Sequence, residues 1–329
     1  MSELALAVFA SETGSHLVRP PTGERWREHL RRFDEQACRA RLAARGFRFV
    51  GRSDTDFPPL LRSIHDPPPS LFVRGLAELE LLGRPAVAVV GARACSGYGS
   101  AVAASLSREL AAAGLVVVSG LARGIDADAH RGALAADAPT VAVLGCGIDR
   151  DYPAAHAELA RRIVASGLIV SEYAPGVEPA PWRFPARNRI VAGLCEATAV
   201  VEARERSGAL ITADLALEEG REVFAVPGEI TSALSAGTNA LLKLGATPLT
   251  AAVDVLAALG IEVAGKHVAE LEGAPGALFA LVREAPAGAD ELARRAGLGA
   301  GEVARALVEL ELAGLVSATD GVYRAIAAD

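Results

Sequence analysis

The stretch PWRFPARNRIVAGL, Pro181 to Leu194, sets Arg183, Arg187, Arg189 and Asn188 beside Trp182 and Phe184, with no acidic residue among the fourteen. Guanidinium forks match phosphate oxygens, and flat rings stack on unpaired bases. The combination suits a polyanion whose bases are exposed. Three other stretches carry related groups. GARACSGYGS offers Gly91, Ala92 and Arg93 at the mouth of an expected helix, and SGLARGIDADAH offers Gly120 and Arg123. EARERSGALITADLALEEG offers Arg204 and Arg206 ahead of Ser207 and Gly208, which open another expected helix whose N-terminus accepts an anion. Gly91 and Gly120 are expected to let a ligand approach the backbone closely. Arg187 and Arg189 lie two apart on one helix and cannot share a face, so one is expected to meet the polyanion and the other an internal carboxylate such as Glu202. Glu172 and Glu202, ending strands expected to be neighbours, are expected to orient guanidinium groups.

Other chemistries lack their residues. There is no GxSxG elbow, no HExxH and no Walker lysine motif, and the six histidines are scattered. The first glycine loop is not GxGxxG, and the next strand ends in Ser119-Gly120 where a dinucleotide site needs a carboxylate. Asp126, Asp128 and His130 fall in the first turns of a helix, where carboxylates serve the positive dipole end better than a metal. Cys38, Cys95, Cys146 and Cys195 are too far apart for zinc clips or a disulfide framework. The expectation is therefore no catalytic residue, no metal and no cofactor.

The elements that hold these loops follow from hydrophobic pattern. Short β-branched runs (PAVAVVG, LVVVSG, TVAVLGCG, LIVSEY, ATAVVEA, EVFAVPG) alternate with helix-like segments, which predicts an α/β fold, a Rossmann-like doubly wound parallel sheet over residues 75–262. Ligands in such a sheet bind beyond the carboxyl ends of the strands, where the loops above lie. Residues 1–74 read as a small N-terminal helical region and linker. After a linker at 263–274, residues 275–329 give three short helices and a hairpin turning at Asp320-Gly321, a C-terminal winged helix. That last unit holds five arginines against eight acidic residues, formally -3, and its candidate recognition helix from Gly301 to Ala313 has one arginine and three glutamates. Such a helix is repelled by DNA, so the tail is expected to serve protein contacts or regulation. The whole chain, 329 residues at -7, excludes a protein coated in positive charge but not a local basic site. Glu3 stands where a signal peptide has positive charge, and the longest charge-free stretch, Ala94 to Ser107, is fourteen residues, too short to cross a membrane. The expected location is cytoplasmic.

Several blocks, in order, resemble the DNA-processing protein DprA (Smf) family: DFPPLLRSIHDPPPSLFVRG, VAVVGARACSGYG, VVSGLARGIDADAH, VLGCGIDRDYP, SEYAPG, FPARNRIVAGL, VVEARERSGALITADLALEEGREVFAVPG and SAGTNALLKLGA. The resemblance runs from about Asp56 to Ala246, and the unit from Pro275 resembles the winged-helix tail of many members. It implies a single-stranded DNA-binding, homodimeric recombination mediator that delivers incoming strands to RecA during natural transformation. Its DNA pocket is implied at the first loop and around FPARNRI. Where the family usually has Gly-Ser/Thr-Arg this chain has Gly91-Ala92-Arg93, which removes one hydroxyl donor. The alternative is a nucleotide-processing enzyme of phosphoribohydrolase type, suggested by the sheet and the Gly-Thr of SAGTN. A third reading is a winged-helix transcription factor, which requires sequence-specific duplex binding by the tail.

Overall fold

Apolar runs without a polar break form strands covered on both faces. The first unit, Met1–Leu259, and the second, Gly260–Asp329, are compact in themselves. The computed structural model describes residues 2–15, 21–261, 271, 273–319 and 321–325. The first unit begins with helices α1 (Glu3–Thr13), α2 (Glu24–Arg32) and α3 (Glu35–Ala44), two of them capped by Ser2 and Asp34 side chains. Strand β1 (Phe47–Gly51), the short helix α4 (Pro59–Arg62) and β2 (Ser70–Arg74) follow. Then strands and helices alternate: β3 (Ala86–Val90), α5 (Gly97–Ala112), β4 (Val116–Ser119), α6 (Ile125–Ala135), β5 (Thr140–Val143), α7 (Ala157–Ser166) and β6 (Leu168–Ser171). The return half is α8 (Arg183–Gly193), β7 (Ala197–Val200), α9 (Gly208–Glu218), β8 (Glu222–Ala225), α10 (Ala236–Lys243), β9 (Thr247–Pro248) and α11 (Ala252–Ala258).

The sheet order is β1-β2-β6-β5-β4-β3-β7-β8-β9, with every pair from β6 to β9 parallel. Alternate residues feed two cores. Val141, Val143, Leu168 and Val170 join the core under α8 and α9, while Ala142 and Ile169 join the one that includes residues of α1, α3 and α7. The chain runs outward from β3 to β6, returns through α8, and restarts at β7 on the other side of β3. Strand order thus reverses between β3 and β7, and the loops leaving those strands splay apart into a crevice.

The N-terminal region departs from expectation. Helices α1, α2 and α3 are the described elements ahead of residue 47, but β1 pairs antiparallel with β2, and β2 antiparallel with β6, so residues 47–74 extend the sheet instead of linking to it. The reason is burial on both faces: Leu71 and Val73 enter one core and Phe72 the other. Glu172 and Glu202, expected on neighbouring strands, follow β6 and β7, which β5, β4 and β3 separate.

The second unit is a winged helix of α12 (Gly273–Glu284), β10 (Ala287–Gly288), α13 (Ala289–Ala296), α14 (Ala300–Leu312), β11 (Val316–Thr319) and β12 (Val322–Ala325). Its core takes Leu278, Val282, Leu292, Val303, Leu307 and Leu310. The two-residue β10, absent from the sequence reading, pairs with β12 and completes a three-stranded sheet. Asp320 of the expected turn and residues 263–270 and 272 of the expected linker lie outside the described residues.

One buried histidine makes the first unit sensitive to acid. Thr140 Oγ1 donates to the Val117 carbonyl at 2.6 Å, so His130 Nδ1, 2.8 Å from that hydroxyl, must be the donor. Its Nε2 is buried without a partner, and burial, then Arg187, push the imidazole pKa from 6.5 to about 3. The unfolded chain takes up this proton below pH 6.5 and the folded one does not, so stability present above 6.5 is lost as pH falls toward 3. Urea unfolding at pH 7 and pH 5 is expected to show about 2 kcal/mol of loss from this group. That part should vanish in His130→Phe; identical pH dependence in both proteins would refute it.

Candidate nucleic-acid interface

A cleft of ≈ 350 Å³ lies at the β3/β7 crevice. The loop after β3 supplies Gly91, Ala92 and Arg93, the loop after β4 supplies Gly120 and Ala122, and the loop after β7 supplies Arg204, Arg206, Ser207 and Gly208. Helix α8 supplies Phe184, Arg187 and Asn188. Arg93, Arg204 and Arg206 are exposed, and none of them is in an ion pair among the described residues. Arg93 Cζ sits 5.5 Å from the centre of the half-buried Phe184 ring.

Of the residues that sequence singled out, Arg123, Arg183 and Arg189 do not line this cleft, and neither do Glu172 and Glu202. Arg123 is exposed on its loop. Arg183 is buried, donates to the Glu178 carbonyl, and stands against the Tyr173 and Trp182 rings at 5.0 and 4.9 Å. Arg187 and Arg189 are both internal, contrary to the expectation that one would point outward. Arg187 reaches the cleft wall but is 5% exposed. It donates to the carbonyls of Gly120 and Val143 and stands 4.0 Å from the Asp126 carboxylate. Burial pushes the Asp126 carboxyl up and the Arg187 guanidinium down, each opposed by the other's charge.

Arg189 turns the other way. Its Nη1 and Nη2 meet Glu172 at 2.9 and 2.7 Å, and its Nε meets Asp66 at 3.0 Å, a buried bidentate pair with a third anchor. Burial works against that charge, but Glu172 more than reverses it, and the Arg189 pKa lies above its ordinary value. Its internal carboxylate is thus Glu172, not Glu202. Glu202 orients no guanidinium: it accepts from the Ser96 amide at 2.9 Å and the Ser96 hydroxyl at 2.5 Å, at the N-terminus of α5. An internal carboxylate therefore already occupies the helix mouth that sequence assigned to an incoming anion.

At two of the glycines the missing side chain makes room for the protein's own groups. A Cβ at Gly91 would lie 2.6 Å from Ile125 Cγ1, and one at Gly120 would lie 2.0 Å from Arg187 Nη2, while both residues line the cleft. Gly208 has nothing within 4 Å of its Cβ position, so the N-terminus of α9 does face open space. Ser207 caps that helix, its hydroxyl accepting from the Ala209 amide. Asn188 donates from Nδ2 to the Gly208 carbonyl at 3.1 Å while accepting from Arg187 Nε, which fixes α9 against α8. The carboxylates Asp126 and Asp128 and His130 do not converge. Asp126 accepts the Gly120 and Ala122 amides, Asp128 takes Ser100 and Arg131, and His130 takes Thr140. Among the described residues no group of three potential metal ligands gathers.

Sequence reasoning did not single out Tyr152, whose ring stacks on Phe184 at 5.3 Å and 23°. The signal was available, because Tyr152 sits in a loop that leaves the carboxyl end of a strand, β5.

Comparison with known proteins agrees with this architecture. Residues 48–260 match the model of the family described as DNA recombination-mediator protein A, and residues 262–321 match the DprA winged helix domain. The DNA processing protein DprA of Streptococcus pneumoniae is 48% identical over 208 residues, 62% of this chain and 71% of that protein. Its X-ray structure aligns with TM-score 0.65 at 43% identity, covering 72% of this chain and 82% of that one. A structure of DNA processing protein A from Helicobacter pylori, solved for its single-stranded DNA binding mode, aligns with TM-score 0.58 at 31% identity over 65% of this chain and 95% of that one.

The Arg189–Glu172 pair is expected to matter for stability. Exposed pairs such as Arg32–Glu28 contribute at most about 1 kcal/mol, whereas removing one member of a buried pair costs about 3–5 kcal/mol because the other charge is stranded. Arg189→Ala and Glu172→Ala should each lose that much in urea unfolding. The double variant should lose less than the sum. Additive losses would show the two charges to be uncoupled.

Proposed function

The chain belongs to the DNA recombination-mediator protein A family, and from that premise we propose that its cleft holds single-stranded DNA, protects incoming strands and passes them to RecA during natural transformation. One observation carries the reading: Arg93, Arg204 and Arg206 surround, exposed, a cleft that combines a half-buried ring, Phe184, with the open N-terminus of α9. Guanidinium groups and helix amides suit phosphates, and the ring suits an unpaired base. Phosphates and ring faces are common to every nucleotide, so binding independent of sequence belongs to the same proposal. A duplex keeps its ring faces stacked on one another and cannot use Phe184.

We read the cleft as a binding site, not a hydrolytic one. Asp126, the carboxylate that lines it, accepts two amides and stands beside Arg187, and the Ser207 hydroxyl caps its own helix. A homodimer belongs to the same proposal on the strength of the family resemblance. A cytoplasmic location follows from its proposed partners, and no helix of the described residues is long and apolar enough to cross a membrane. The winged helix is assigned to protein contacts. Helix α14 exposes Glu302, Glu309 and Glu311 against Arg305, together with Val308 and Leu312, a face that repels phosphates.

Fluorescence anisotropy on labelled single strands and duplexes of one length, across a salt series, tests this. The full chain should prefer single strands. Arg93→Ala should weaken binding and lower the salt slope by about 0.7, whereas Phe184→Ala should cost about 1–3 kcal/mol with the slope unchanged. Equal affinity for duplexes, or release of free base or ribose phosphate from a nucleotide, would favour the rival enzyme or duplex-binding readings. A chain ending at Ile261 should keep most single-strand affinity, and loss of binding would return the winged helix to the DNA site.

A further inference from the structure

We infer that Tyr152 is a second base-stacking position, which extends the strand's path from the cleft across the end of β5; the inference rests on the reading of the cleft as a single-strand site. The Tyr152 ring lies on Phe184 at 5.3 Å and 23° and the residue remains 42% exposed, so the outer member of the pile of two rings is open to solvent. Gly145, in the same loop, gives Phe184 its room: a Cβ there would meet the Phe184 ring edge at 3.0 Å. Arg206 and Arg204 after β7, Arg93 after β3, Phe184 on α8 and Tyr152 after β5 thus follow one edge of the sheet.

A stacking face must be held still and must not repel phosphates, and this loop meets both conditions. His156 Nδ1 lies 3.0 Å from the Leu121 carbonyl, the Gly147 amide donates to Val177, and the Asp149 carboxylate accepts the Gly176 amide at 2.8 Å. The acidic neighbours of Tyr152 are matched: Asp151 pairs with Arg74 at 2.6 Å, Asp149 with Arg45 at 3.0 Å, and Glu178 with Arg150. An exposed ring covering another ring could act as packing alone, and the choice of variants separates the two roles. Leucine still covers Phe184 but offers no π face, while phenylalanine offers both.

The test uses the full chain and a labelled oligothymidine carrying single 5-iodouracil substitutions. Tyr152→Leu should bind about 5- to 150-fold more weakly, the effect of one stacked base, with the salt slope unchanged, and Tyr152→Phe should stay within about twofold of the wild type. One iodouracil position should photo-crosslink to Tyr152. Both signs are required. If the wild type retains the strand but Tyr152→Leu binds equally well, or crosslinks map to Phe184 and never to Tyr152, the second position is overturned while the cleft stands. If the wild type does not retain single strands, the reading of the cleft itself fails.

Discussion

Arg187 is the contact on which the site's construction depends. Its guanidinium takes the carbonyls of Gly120 and Val143, where β4 and β5 end, and so holds α8 across the carboxyl edge of the sheet. A buried cation is costly unless its donors are met. Here two carbonyls, the Asn188 side chain and the nearby Asp126 meet them. The same contact dictates residue 120, since any side chain there would occupy the guanidinium's place. Through Asn188 it also fixes the start of α9, so one buried arginine sets three walls of the cleft without facing solvent.

Arg189 secures the other flank of the helix. With Glu172 after β6 and Asp66 ahead of β2, it pins α8 to elements far apart in sequence. The basic look of FPARNRI is therefore mostly internal scaffolding, and the exposed cations that line the cleft among the described residues are Arg93, Arg204 and Arg206 in the flanking loops. A formal charge of -7 is compatible with the proposed anion site, because a few arginines at a concave edge create a focused field that net charge does not describe.

The fold was legible where pattern alone decides it. Runs such as AVAVV have no partner except a sheet covered on both faces, and the three C-terminal helices declare a winged helix through Val303, Leu307 and Leu310. The strands FRFVG and SLFVR were missed because they join the sheet through antiparallel pairings that no local periodicity announces. Side-chain direction was the larger gap. Spacing correctly separates Arg187 from Arg189 on the helix, but it cannot reveal that both faces are covered, one by strand ends and one by Glu172. Nor can it reveal that Glu202 meets Ser96, because that depends on β7 lying beside β3. Tyr152 was hidden for the same reason, its partner Phe184 lying 32 positions along the chain (184 − 152).

The distribution of internal carboxylates gives the site its direction. Beside the cleft the loops after β3, β4 and β7 each lead into a helix whose mouth could in principle hold an anion. Glu202 fills the first through the Ser96 amide and hydroxyl, and its carboxylate lies so close to Gly99 that a Cβ there would stand 2.4 Å from it. Asp126 fills the second by accepting the Gly120 and Ala122 amides. The mouth of α9 has no such carboxylate in the described contacts, Gly208 is open, and Arg204 and Arg206 precede it. Arg204 and Arg206 therefore stand at one end of the cleft, while the ring of Phe184 lies on the α8 side with Arg93 above it. Charge at one end and aromatic surface at the other fit a ligand that is itself two-sided, phosphate along one edge and base along the other.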